Sequence, residues 1–109
     1  MLLKSPNFPQ NYPRNIECTW NIFGSAQSFG IQLKFINFHL EKLGYGCQYD
    51  YLDVYADDNH VNKLCGWQSN LKISANHNLT IIFKTDDNVQ YTGFLASYYS
   101  GNFYYISKK

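Results

Sequence analysis

The stretch Asn78-Leu79-Thr80-Ile81-Ile82-Phe83-Lys84-Thr85-Asp86-Asp87-Asn88 decides how the rest of the chain is read. Leu79, Ile81 and Phe83 fall on one side of an extended backbone, with Thr80 and Ile82 on the other. A side-chain period of two is what a half-buried strand requires. Asp86-Asp87-Asn88 then stops the run with short polar side chains that favour turns. The unit is a strand that must bury one face, delivering carboxylates into the loop at its end.

The same unit recurs in both directions. Cys18, Trp20 and Ile22 alternate with Thr19 and Asn21, and Ile31, Leu33 and Phe35 alternate with Gln32 and Lys34. Leu52 and Val54 flank Asp53, while Phe94, Ala96 and Tyr98 alternate with Leu95 and Ser97. Turn-forming clusters separate the runs: Gly24-Ser25, Gly44-Tyr45-Gly46, Asp57-Asp58-Asn59 and Asn76-His77-Asn78. No stretch of useful length has a helical period. Short strands spaced by polar turns bury their apolar faces against a second sheet, so the expected fold is all-β, a two-sheet antiparallel sandwich. The opening Ser5-Pro6-Asn7-Phe8-Pro9-Gln10-Asn11-Tyr12-Pro13 holds all three prolines and reads as an irregular surface segment.

Composition narrows the function classes. At 109 residues the chain is one domain, and 45% hydrophobic against 16% charged residues argues against disorder. Ten Tyr and eight Phe favour strands. The net charge of +1, with lysines scattered along the chain, gives no nucleic-acid surface. No apolar run approaches the roughly 20 residues of a membrane span. Met1-Leu2-Leu3 runs directly into Lys4 and is not a signal sequence, so the expectation is a piece of a longer secreted chain or one whose signal is removed.

The three cysteines are Cys18, Cys47 and Cys65. Cys47 and Cys65 lie a short loop apart, suited to a local disulfide, and Cys18 points to a partner outside this stretch or to a thiol. A zinc site built from these thiols with His39, His60 or His77 lacks the usual ligand spacings.

Three of the eight acidic residues stand at strand ends. Glu41 follows Phe38-His39-Leu40, Asp50 opens the Tyr51–Tyr55 run, and Asp86 closes the Leu79–Phe83 run. Two carboxylates 4–5 Å apart repel by roughly 4 kcal/mol at an effective dielectric of 20. If the three converge, a divalent cation reverses that balance, and an all-oxygen, flexible ligand set suits Ca²⁺ better than Mg²⁺. Asn88 could add a backbone carbonyl, and a tyrosine hydroxyl could orient a carboxylate. Solubilising loop acids are the plainer alternative.

At these residues the chain resembles a CUB domain. The matching words are Ser5-Pro6-Asn7-Phe8-Pro9 with Asn11-Tyr12-Pro13, Glu17-Cys18-Thr19-Trp20, Phe35 to Glu41, Cys47 to Val54, Leu64-Cys65-Gly66, Phe83 to Asn88, and Thr92-Gly93-Phe94. They run in order from about residue 5 to residue 99. The resemblance implies a jelly-roll-type sandwich over residues 1–99 and a Cys47–Cys65 disulfide. It implies a calcium ion held by Glu41, Asp50, Asp86 and the Asn88 carbonyl, with Tyr12 in support. In members with this site, Glu41, Asp86 and Asn88 would grip a Lys or Arg side chain of an extracellular protein partner.

Two departures from the family pattern stand out. The family's first strand and first cysteine, the usual partner of Cys18, have no counterpart. Residues 100–109 extend past the usual end, and Phe103-Tyr104-Tyr105-Ile106 reads as an extra edge strand or a linker toward a next module of the same parent chain.

Asn78-Leu79-Thr80 is an N-glycosylation sequon, Trp20 reads as core, and Trp67 reads as an exposed loop residue that could touch a partner. No catalytic arrangement is present: Glu41 and Asp50 could be glycosidase acids, but a small sandwich has little room for a cleft. Carbohydrate or lipid binding of the spermadhesin kind and a purely structural spacer are the remaining alternatives.

Overall fold

The computed structural model describes residues 2–24, 30–42, 46–100 and 103–105. Among the described residues nine strands form two antiparallel sheets: β1 (Leu2–Lys4), β2 (Glu17–Gly24), β3 (Ile31–His39), β4 (Tyr51–Ala56), β5 (Asn59–Leu64), β6 (Lys72–Ala75), β7 (Asn78–Lys84), β8 (Gly93–Ser100) and β9 (Phe103–Tyr105). One sheet runs β1-β8-β3-β6 and the other β5-β4-β7-β2-β9. The two-sheet sandwich is the fold expected from the alternating runs.

The period-two residues meet between the sheets. Ile22, Leu33, Leu52, Val54, Leu79, Ile81 and Phe83 are fully buried. Phe94 is the hub of the aromatic core, in edge contact with Phe83 at 5.3 Å, Trp20 at 5.6 Å and Phe35 at 6.0 Å. Such pairs add about 0.5–1.5 kcal/mol each beyond the area they bury.

Along β3 the alternation changes phase. Phe35 opposes Ala96 and Asn37 opposes Leu95, so Ile36 is the extra residue of a bulge. The bulge leaves Ile36 exposed while Phe35 and Phe38 both point inward, and it carries the strand on to Leu40 and Glu41 at the end of the sandwich.

Three strands differ from the sequence reading. Leu2–Lys4 pairs with β8 (Leu3 opposite Ala96), so a short strand does precede Ser5 where none was expected. Leu3 buries against the core, and Ser5, the residue after the strand, is anchored by its N–H to the Phe94 carbonyl. β5 and β6 carry no strong signal, because β5 is a polar edge strand and β6 spans only Lys72–Ala75. Phe103–Tyr105 pairs with β2 (Tyr105 opposite Ile22), while Ile106 lies outside the described residues. The same holds for Ser25 and for Gly44-Tyr45 of the expected turns. Cys18 is buried in β2 opposite Phe83.

The proline-rich segment is tied down at one pole. The Phe94 N–H donates to Ser5 Oγ at 3.0 Å, and the Ser5 N–H donates to the Phe94 carbonyl at 3.0 Å. Gly93 sits between them with φ +87°, and a Cβ there would collide with the Ser5 side chain. Only glycine fits such a conformation and such an approach without strain.

Candidate metal centre

Strand register brings the acids to one end. β4 and β7 are antiparallel with Tyr51 opposite Lys84, so Asp50 and Thr85 emerge side by side and Asp86 follows. β3, in the other sheet, ends at His39 and hands on to Leu40 and Glu41 at the same pole. The Leu40 N–H donates to the Gly66 carbonyl at 2.9 Å. Cys65, one residue earlier, forms a disulfide with Cys47. The segment before Asp50 is thereby linked through Cys65–Gly66 to the segment carrying Glu41.

Thr85 secures the exit of β7. Its hydroxyl donates to the Pro13 carbonyl at 2.9 Å and accepts the Ile16 N–H at 3.1 Å. The Asn15 N–H donates to the Asp86 carbonyl at 2.9 Å.

Each of Glu41, Asp50 and Asp86 places one carboxylate oxygen within 4.8 Å of the others, the one such set of acids, histidines or cysteines among the described residues. Asp50 is fully buried, Glu41 is 2% exposed, and Asp86 lies partly open above them. Asp50 is hydrogen-bonded on both oxygens: Tyr12 donates to Oδ2 at 2.6 Å and the Asp86 N–H to Oδ1 at 2.9 Å. The Tyr12 hydroxyl also accepts the Glu41 N–H at 3.2 Å. The Asn88 N–H donates to Asp86 Oδ1 at 3.1 Å, and Asn88 is exposed.

Glu41 is the exception. Both of its carboxylate oxygens are buried without a hydrogen-bond partner among the described residues. A buried carboxylate with no donor is costly. Burial pushes its carboxyl above the ordinary carboxylate range, and the charges of Asp86 and Asp50 push it further. Burial also raises Asp50, against the opposing hydrogen bonds from Tyr12 and the Asp86 N–H. Burial, then the bond to Asp50, raises Tyr12, so it stays a protonated donor. Hard oxygens that crowd one another, with those of Glu41 lacking a donor among the described residues, are the chemistry of a divalent-cation site, and the residues present fit Ca²⁺.

The other residues singled out in the sequence are dispersed. Asn78 opens β7 at the opposite end from Asp86 and is partly exposed. His39 closes β3, His60 pairs with Asp53 at 2.9 Å, and His77 lies in the β6–β7 turn, so they form no shared site. Glu41 and Asp50 are too buried to flank a sugar in a cleft. Trp20 is core and Trp67 is 82% exposed. What residue-by-residue reading missed is a face next to the acids: His39 stacks on Tyr91 at 4.4 Å and lies 6.0 Å from Trp67.

The molecule is thus a two-sheet antiparallel sandwich with three carboxylates gathered at one pole and a disulfide beside them. The CUB domain family model matches residues 1–98, and the chain belongs to that family. It is 38% identical over 107 residues to the membrane frizzled-related protein of Mus musculus, covering 93% of this chain and 18% of that protein. A crystal structure of the MASP-1 CUB2 domain bound to Ca²⁺ superimposes with TM-score 0.80 at 30% identity, over 89% of this chain and 88% of that one. The full extracellular region of zebrafish Gpr126/Adgrg6 aligns with TM-score 0.85 at 31% identity, over 94% of this chain and 14% of that one. The chain thus spans less than a fifth of the frizzled-related protein it resembles.

Proposed function

We propose that this chain is a calcium-dependent protein-binding module, with Ca²⁺ held by Glu41, Asp50, Asp86 and the Asn88 carbonyl. The observation that carries the reading is Glu41, whose two buried oxygens have no donor among the described residues and face two further carboxylates. A structural relative with Ca²⁺ bound supports the choice of ion.

When bound, the ion would neutralise the mutual repulsion and order the loops that bear the acids. Three carboxylates against one Ca²⁺ leave about one net negative charge at the pole. Asp50 is occupied by Tyr12 and the Asp86 N–H, so it serves the ion and the scaffold. Asp86 is partly exposed and keeps lone pairs that accept from a partner's Lys or Arg, with Glu41 below and Asn88 at the rim. Such a contact is salt-sensitive and modest alone, and gains strength when modules are repeated in a parent chain.

Titrating the chain with Nα-acetyl-lysine amide tests this, followed by NMR shifts of the Asp86–Asn88 amides. Saturable shifts in calcium that vanish in EDTA and in Asp86→Asn are expected. Shifts that ignore calcium would refute the reading.

A further inference from the structure

We infer that the groove beside Trp67 seats an apolar or aromatic side chain of the same partner segment whose basic residue enters the acidic pole. This rests on the preceding reading of that pole.

The groove has a volume of about 510 Å³ and is lined in part by Lys34, Ile36, His39, Trp67, Gln68 and Thr92. That is within the range of roughly 300–1,000 Å³ that ligand pockets occupy. The β3 bulge turns Ile36 out to form part of its wall. Trp67 is held by its backbone and not by burial of its ring. It bridges His39 in antiparallel register, and the next residue donates its N–H to the Phe38 carbonyl at 3.2 Å. The Gln68 side chain donates to the Cys65 carbonyl at 3.0 Å. An anchored backbone carrying an exposed indole is a preorganised contact, and Trp is among the residues that dominate interface energetics.

Groove and acidic pole share their framework. His39 precedes Glu41 by two residues, roughly 7 Å along an extended chain. Tyr91, stacked on His39, accepts the Tyr12 N–H at 3.0 Å, and the Tyr12 hydroxyl donates to Asp50. Charge assigns the occupants: among the described residues the groove lining has no carboxylate and carries Lys34, so a cation is repelled from it and drawn to the acids. An extended peptide with a Lys or Arg and, within about two or three residues, an apolar or aromatic side chain reaches both.

The test uses a lysine-centred heptapeptide library screened in calcium against the wild-type chain and Trp67→Ala. Intrinsic fluorescence reports occupancy, because Trp20 is buried and Trp67 is not. The expected result is a flanking preference for apolar or aromatic residues and a blue shift on binding. Trp67→Ala should lose that preference and roughly tenfold in affinity, with its calcium-dependent melting shift intact. Wild type and Trp67→Ala selecting the same peptides equally well would overturn the inference. So would Trp67-dependent binding of neutral glycans with no flanking preference among peptides. Absence of any calcium-dependent lysine selection would instead refute the underlying function.

Discussion

The Tyr12 hydroxyl lies 2.6 Å from Asp50 Oδ2 and joins the proline-rich opening of the chain to the start of β4, 38 positions away. The same oxygen accepts the Glu41 N–H, so one phenol positions segments from both sheets. Tyr12→Phe should cost about 1–3 kcal/mol in EDTA, because Asp50 stays buried with one donor fewer. It should also weaken calcium binding by roughly tenfold. Urea unfolding and calorimetric titration of the variant measure the two effects separately.

Gly93→Ala should be far more damaging than its size suggests. The residue sits at φ +87°, and its new Cβ would lie 2.8 Å from Ser5 Cβ and closer still to Ser5 Oγ. Loss of about 3 kcal/mol or more is expected, read as a fall in melting temperature. Partial recovery in Ser5→Gly/Gly93→Ala would assign the loss to the collision.

Asp57 governs an acid transition remote from the acidic pole. It caps the β6–β7 turn by accepting the N–H groups of Asn76, His77 and Asn78, which hold its carboxyl below the usual range. A depressed folded pKa contributes stability above the unfolded value of about 3.9, lost as pH falls through the folded value. Wild type should therefore exceed Asp57→Asn in melting temperature at pH 7, and the gap should close as pH falls below about 3.9. A gap that does not narrow at all between about pH 5 and pH 2 would contradict the assignment.

The Cys47–Cys65 disulfide closes a loop of sequence separation 18. In the chain-entropy account such a loop contributes about 3 kcal/mol. Cys47→Ser/Cys65→Ser should lose that amount in urea unfolding. It should also lose calcium affinity, because the bridge ties the Asp50 segment to the Leu40–Gly66 contact beside Glu41.

Local pattern made the framework legible. The runs that became β2, β3, β4, β7 and β8 alternate strongly because each buries one full face. β5 was not legible, since Asn59, His60, Val61 and Lys63 are all exposed at a sheet edge. Glu41, Asp50 and Asp86 stood out as acids at strand ends, but strand register, not spacing, determines that their oxygens approach within 4.8 Å. The resemblance, not the residues alone, pointed to Tyr12. Of the Tyr91–His39–Trp67 face only Trp67 was legible, as an exposed residue; its assembly with His39 and Tyr91 was not, because the three come from separate segments.

The central claim is tested most directly by melting the wild-type chain and Glu41→Gln in 10 mM calcium and in EDTA. With a dissociation constant of about 10⁻⁴–10⁻³ M, calcium should stabilise wild type by roughly 1.4–2.7 kcal/mol, a rise of roughly 5–20 °C for a domain of this size. Glu41→Gln should show no such rise, and in EDTA it should melt no lower than wild type because a repelling charge has gone. Superimposable wild-type curves in calcium and EDTA would contradict the account.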